Sequence, residues 1–501
     1  MGFFGRKRAP SVPHPRKEPR FDGPLTLKRL EQIFQDCVDF TKRPVSLGEG
    51  GACTLTLCYL SGMVKMERVS DYVLRPLAQD EALARCGTPR QAMEEMMGGA
   101  LYNLSAAERT TLDEAAFDLV AGWCLMFFPG ESAVLSLFVG TEEKRSISSP
   151  SNETVLKGSR DAFVESLRTN TSIVRRHLKT PELRIREQVV GRQSVTSVDI
   201  LYIEGLTNPH LVEQVAAQLA DIDIDAVLAT GNIEEYIVPA ARTAFPLVQY
   251  TERSDRFCAG LAEGRVGILI DGLPLGYLAP GVLGDFLQAP QDKSESWLLA
   301  SALTLLRYLC MLGTLYVAMV TFHQEMIPTR LALSIIAAKQ DVPFRSVFEV
   351  IVLLLAFEIL QEAGLRLPQS IGQTVSIIGG LVVGSAAVEA KIISPAVLIV
   401  VAVAGIAGYT MPSQEVAGAL RIWRFLLALL ASAAGLFGVV AGLSALVIHL
   451  AGIESFGVSY LTPFASNAGE QVEGHAVFRQ PLPQVKQRPA ALKTRNRRNQ
   501  K

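Results

Sequence analysis

Two long stretches of the chain carry no charge at all. One runs from Ile392 to Gln414 and the other from Phe425 to Ile448. Each is long enough to cross the roughly 30 Å hydrocarbon core of a bilayer as a helix. A third stretch, FEVIVLLLAFEILQEAG over 348–364, is nearly as oily but holds Glu349, Glu358 and Glu362. Eleven large apolar residues lie between Ser346 and Ala363. Each favours insertion by about 0.3–0.6 kcal/mol, whereas a central charge costs up to about 3 kcal/mol. The acids cancel most of the gain, so the helix suits a membrane only where they face other helices or water. A helical bundle with a polar interior follows.

The remainder has another character. Residues 1–296 mix charge and apolar side chains, while 297–453 are dense in Leu, Val, Ala, Ile and Gly. A chain of 501 residues has room for two or three domains. Its net charge of −1 gives no electrostatic footprint for nucleic acid. The seven cysteines form no CxxC pair and read as reduced structural thiols. MGFFGRKRAP is basic but has no apolar core behind it, so the large front region is expected to stay in the cytoplasm.

A repeat organises that front region. LTLCYLSGMV (55–64) leads into SDYVLRPL (70–77), and VDILYIEGLT (198–207) leads into PHLVEQVAAQL (209–219). Both read as a buried strand, a glycine turn and an amphipathic helix. The expected fold is a soluble α/β region of two related subdomains followed by an α-helical membrane domain. The boundaries are a disordered basic tail over 1–29, subdomain 1 over 30–140, a linker over 141–160, subdomain 2 over 161–292, a membrane domain over 293–453 and a basic cytoplasmic tail over 454–501. DIDIDAVLAT (221–230) reads as a strand end with one wet face. GRVGILIDGLP (264–274) reads as a strand ending in an Asp-Gly turn. The basic helix around SLRTNTSIVRRHLK, with Arg168, Arg175 and Arg176, reads as a solvated face.

Several chemical motifs fail. Asp221, Asp223 and Asp225 would need Gly and Glu where Ala226 and Asn232 stand to form a calcium loop. GEGGA (48–52) lacks the Lys and Ser/Thr of a phosphate loop. The six histidines have no metal-ligand spacing. No nucleophile elbow or paired-acid site is present in the sequence, so neither an enzyme nor a metal or cofactor is expected.

Full spans are expected near 298–321, 344–363, 393–412 and 422–450. Arg307 in the first calls for a cytoplasmic edge or an acidic partner. The last run exceeds one span and is expected to tilt or protrude. Its Gly435, Gly438 and Gly442 allow close helix packing. GQTVSIIGGLVVGSAAVEA (372–390) carries Gln373, Thr374 and Ser376 with Gly379, Gly380 and Gly384, and ends at Glu389. It reads as a re-entrant or broken helix, or as an ordinary fifth span. The tail from Arg479 to Lys501 has eight Lys or Arg and no acid, which favours the cytoplasmic side. Front domain and tail on one side require an even number of spans, which four plus one re-entrant segment supplies. Arg421 and Arg424 then fall outside, against the rule. Glu349, four residues after Arg345, is expected to pair with it near the outer edge. Glu358 and Glu362 lie toward the cytoplasmic end. For Glu358 two roles are open: a structural pair with Arg307, or a cation site in a hydrated path.

Several stretches resemble the A subunit of the GerA-family spore-germination nutrient receptors: SRDAFVESLRTNTSIVRRHL, VQYTERSDRFCAGLAEGRVGILIDGLP, FHQEMIPTRLALSIIAAKQDVPF, LAFEILQEAGLRLPQSIGQTVSIIGGLVVGSAAVEAKIISPA and SFGVSYLTP. They cover about 159–463 in order. The resemblance implies a multi-pass protein of the spore's inner membrane, with its soluble region facing the spore core. It implies a homo-oligomer, in contact with membrane lipid, working with a transporter-like B subunit that holds the nutrient and a lipoprotein C subunit. It further implies a nutrient-gated cation pore. A secondary transporter with a midplane site and a non-conducting scaffold are the competing functions. Ser254, Phe257 and Cys258 depart from the family pattern and are expected to alter packing or a turn.

Overall fold

The computed structural model describes residues 20–47, 53–100, 105–140, 150, 153, 159–227, 230–238, 243–293, 295–309, 327–366, 384–408, 411–462, 464, 485 and 487–498. The first sheet contains β1 (Phe40–Leu47), β2 (Cys53–Leu60), β3 (Ala106–Arg109), β4 (Trp123–Phe127) and β5 (Val134–Phe138). The second contains β6 (Leu183–Val190), β7 (Thr196–Ile203), β8 (Gln249–Thr251), β9 (Val266–Ile270) and β10 (Gly276–Ala279). Their spatial orders are β1-β2-β4-β5-β3 and β6-β7-β9-β10-β8. The two orders are the same permutation, and all the ladders are antiparallel. The repeat in the sequence is therefore a duplicated topology, with the two repeated strands, β2 and β7, second in each sheet.

The principal helices are α1 (Leu27–Ile33), α2 (Leu112–Val120), α3 (Leu167–His177), α4 (Pro209–Ala220), α5 (Thr230–Ile237), α6 (Ser254–Glu263), α7 (Trp297–Leu309), α8 (Thr329–Lys339), α9 (Ser346–Arg366), α10 (Gly384–Glu389), α11 (Pro395–Gly408) and α12 (Gln414–Ala451). Both faces of each sheet are covered. Leu55, Leu57 and Tyr59 of β2 point into one core with Val73 and Leu77, and Cys58 and Leu60 point into another with Leu30 and Leu119. Val266, Ile268 and Ile270 of β9 meet α4 on one face, and Leu269 meets α3 and α6 on the other. Burial on both faces explains why these strands read as unbroken apolar runs. Residues 221–227 are loop, not a strand end. Their carbonyls at Ile224 and Asp225 accept from Arg192 and Gln193 in the turn between β6 and β7.

The two sheets are joined through α3. Arg175 is buried, its Nε 2.5 Å from Asp39 Oδ2 and its Nη2 2.9 Å from Asp39 Oδ1, while Nη1 donates to the Leu183 carbonyl at 3.2 Å. This overturns the reading of Arg175 as part of a solvated face. Beside it, Val38 N donates to Ile185 O at 2.9 Å and Ile185 N to Asp36 O at 3.2 Å, so the segment before β1 pairs along the edge strand β6. The departures at 254–258 are packed: Phe257 and Cys258 are core residues, and Ser254 donates both N–H and Oγ–H to the Asp161 carbonyl.

Among the described residues one helical run, Gln414–Ala451, is long and apolar enough to cross a membrane. It is not one rod. Gly435 leaves helical geometry at φ 60°, ψ −137°. The Trp423 and His449 ring centroids are 5.6 Å apart, whereas a straight helix would separate these residues by roughly 39 Å. The run folds back as a hairpin with arms 414–434 and 436–451, replacing the expected long tilted span. A Cβ at Gly438 would collide with the Leu430 carbonyl oxygen, and one at Gly442 would lie 2.6 Å from Leu427 Cδ2. These glycines let the arms close at the tip.

The hairpin's foot is fastened to the second soluble unit. Val416, Ala419, Leu446 and Leu450 share a core with Phe245, Leu247, Phe286 and Tyr460. Nearer the tip, Ala431 and Val439 pack with Val350, Leu353 and Leu354 of α9 and with Val397 and Val401 of α11. After the hairpin the chain returns: Arg495 N donates to Leu206 O at 3.0 Å, Arg488 Nε to Ala262 O at 2.9 Å, and Leu492 is buried.

A charged groove at the foot of the hairpin

The acids of α9 point two ways, as their nine-residue spacing requires. Glu349 is buried at the end remote from the soluble units. Its Oε2 accepts from Ser394 N at 2.8 Å, and Lys339 Nζ lies 3.6 Å from Oε1. These partners replace the expected pairing with Arg345. Two and a half turns later Glu358 faces the first arm of α12. Arg421 Nη1 is 3.1 Å from its Oε1 and 3.2 Å from its Oε2. One turn along the arm, Arg424 Nη1 donates to Ala404 O of α11 at 3.3 Å. Three helices thus converge on two arginines. Both arginines lie toward the foot, on the side of the soluble units, which corrects their expected position outside.

An open groove of about 490 Å³ adjoins the ion pair, lined by Glu358, Glu415, Arg421, Ala244, Ile422 and Phe425. Glu415 Oε2, Arg421 Nε and Arg424 Nε are buried without a hydrogen-bond partner. Behind the groove Trp423 lies over His449, whose Nε2 is 3.1 Å from Thr243 Oγ1. In the adjoining soluble helix α5, burial raises the Glu234 carboxyl to about 6, with Glu235 adding to the shift.

The other sequence candidates are not gathered here. Glu362 is exposed on the next turn of α9, and Glu389 is exposed at the end of α10. A Cβ added at Gly384 would lie 3.6 Å from the Leu398 methyl groups, one turn into α11. Arg307 lies in α7, with its side chain outside the described residues. Gln373, Thr374, Ser376, Gly379 and Gly380 also lie outside them. Sequence reasoning missed the pairing of Arg421 with Glu358 and the contact of Arg424 with Ala404. The available signal was two arginines at i, i+3 around a tryptophan, a pattern suited to a membrane boundary.

A second polar cluster lies in the soluble region. Asp199 of β7 is fully buried, and burial raises its carboxyl to about 7, with Arg168 acting against the shift from 3.3 Å.

The model for the Bacillus/Clostridium GerA spore germination protein matches residues 28–491. The chain belongs to the GerA family. It is 37% identical to the uncharacterized membrane protein YfkQ of Bacillus subtilis strain 168, over 89% of this chain and 87% of that protein. It is 36% identical to spore germination protein KA of the same organism, over 91% and 84% of the two chains. It is 34% identical to spore germination protein GerLA of Bacillus cereus, over 94% and 95%. Among solved structures, the N-terminal domain of the A subunit of the Bacillus megaterium germinant receptor GerK3 matches with a TM-score of 0.42 and 27% identity, covering 51% of this chain and 94% of that one.

Proposed function

We propose that this GerA-family chain is the A-type subunit of a spore germinant receptor. In this reading it sits in the inner membrane of the spore, oligomerises, and opens a path for monovalent cations when partner subunits engage a nutrient. The observation that carries it is the Glu358–Arg421 pair, set among apolar helices beside an open groove. Charges inside a membrane bundle are costly and mark ion paths or moving elements. Family membership and relatives named for spore germination support the receptor role. B and C subunits are the expected partners.

A multi-pass topology fits the helix directions. α9 and α11 both run toward the soluble units: Val350 and Val397 share the remote core, while Phe357 meets Gly405 and Arg424 meets Ala404 nearer the foot. The connection from Arg366 to Gly384 therefore starts near the foot and ends at the remote end. In this reading the hairpin is a re-entrant element, entered and left on the side of the soluble units.

The test is cation release by spores, or by reconstituted complete receptor, carrying Glu358→Gln or Glu349→Gln, with assembly verified. Glu358→Gln should change nutrient-triggered flux several-fold, and Glu349→Gln should change it less. Wild-type flux from assembled Glu358→Gln receptor would refute the ion-path role.

A further inference from the structure

The groove at the hairpin's foot is lined by side chains of both signs, and one of each sign has a buried atom that lacks a hydrogen-bond partner. Arg421 spends Nη1 on Glu358 and leaves Nε without an acceptor, and Glu415 Oε2 has no donor. Buried charged atoms left unpaired are expensive, so an external group that satisfies both would bind favourably. A plain anion meets the repulsion of Glu358 and Glu415, and a plain cation meets Arg421. The complementary group is a zwitterion.

Its attachment is indicated by what leads away from the groove. Ile422, Leu426 and Leu429 are exposed at helical spacing along the first arm, from the groove toward the tip. Trp423 sits at the same level as the groove, where aromatic side chains mark the boundary between headgroups and hydrocarbon. An ionic head in the groove with its tail on that row is a lipid.

We propose that the groove binds the headgroup of an aminophospholipid, with its phosphate on Arg421, its primary ammonium on Glu415 and its acyl chains along Ile422, Leu426 and Leu429. The proposal rests on the membrane placement of the hairpin. Phosphatidylethanolamine has the required N–H donors. Phosphatidylcholine has the charge without the donors, and phosphatidylglycerol has the phosphate without the cation.

The experiment titrates these three lipids into detergent-purified full-length protein and counts retained molecules by native mass spectrometry. Phosphatidylethanolamine should bind about tenfold more tightly than the other two, as one charge-assisted hydrogen bond implies. Glu415→Gln should reduce it to the phosphatidylcholine level while leaving the thermal transition in place. Arg421→Gln should weaken all three lipids, which share the phosphate. Equal binding by the wild type, or a preference that survives Glu415→Gln, overturns the proposal. Tail-free glycerophosphoethanolamine should not compete; if it binds as tightly as the lipid, the occupant is a soluble phosphate ester and the lipid assignment fails. Lipids retained without discrimination remove this site alone, whereas retention of no lipid of any class also removes the membrane placement beneath it.

Discussion

Arg175 and Asp39, 136 residues apart in sequence, form a two-point ion pair with both side chains under 4% exposed. The carboxylate comes from the segment before β1 and the guanidinium from α3, so the pair fixes one sheet against the other. Removing one partner of a buried pair leaves an uncompensated charge and costs roughly 3–5 kcal/mol, while replacing both with apolar residues can be nearly neutral. Asp39→Asn should therefore lower the unfolding midpoint strongly, and Asp39→Leu with Arg175→Met should recover most of the loss. Chemical denaturation of the wild type, Asp39→Asn and the double variant reads both effects.

Asp199 gives the soluble region a pH dependence. Its folded-state carboxyl is raised to about 7 from a reference of 3.8. Between those values the folded state binds more protons than the unfolded chain, so stability declines as pH rises. The contribution is fully present below about pH 4, is lost through pH 7 and is flat above it. Asp199→Asn should remove that slope, making the variant relatively more stable at pH 8 than at pH 4. Thermal melts across pH 4–8 measure it. An unchanged slope would mean another group carries the titration.

The hairpin makes a prediction about a single methyl group. At Gly438 a Cβ meets a backbone carbonyl that cannot rotate away. Gly438→Ala should therefore open the tip and reduce folded, membrane-inserted protein several-fold. Gly418→Ala is the control, because its new Cβ would meet only the end of Arg421 at 3.5 Å. Comparable yields and protease resistance for the two variants would contradict the fold-back.

The Glu358–Arg421 contact can be tested by exchange. Arg421→Glu places two acids together in an apolar bundle and should abolish assembly. Adding Glu358→Arg should restore it at least in part, because the pair is re-formed with reversed polarity. Normal assembly of Arg421→Glu alone, or an exchanged variant that assembles no better than Arg421→Glu, would show that the two side chains do not depend on each other.

What the sequence disclosed, and what it hid, follows from range. The duplicated sheets were legible because LTLCYLSGMV and VDILYIEGLT repeat a local pattern of buried strand and glycine turn. The oily segments were legible because hydropathy sums over neighbours. The fold-back at Gly435 was not, since averaging over 422–450 erases the one residue whose left-handed φ reverses the chain. Gly438 and Gly442 were expected to allow close helix packing, and the atoms they face belong to the preceding arm of the same hairpin, a partner that spacing does not name. Arg175 was misread because a basic residue on an amphipathic helix normally faces water, and its partner lies in the other repeat. Glu349 was assigned the cation one turn away, whereas its acceptor oxygen is held by Ser394 N, 45 residues downstream. Local spacing lists candidate partners, and tertiary packing selects among them.

The return of residues 487–498 to the second soluble unit has a mechanical meaning. The oily part of the molecule leaves that unit at α7 and comes back to it at the hairpin's foot and again through the carboxyl-terminal strap. It is a bight of chain tied at both ends to one block. A turn of that block is therefore delivered to the helices as torsion from two anchorages at once, and neither end is free to slip and dissipate it.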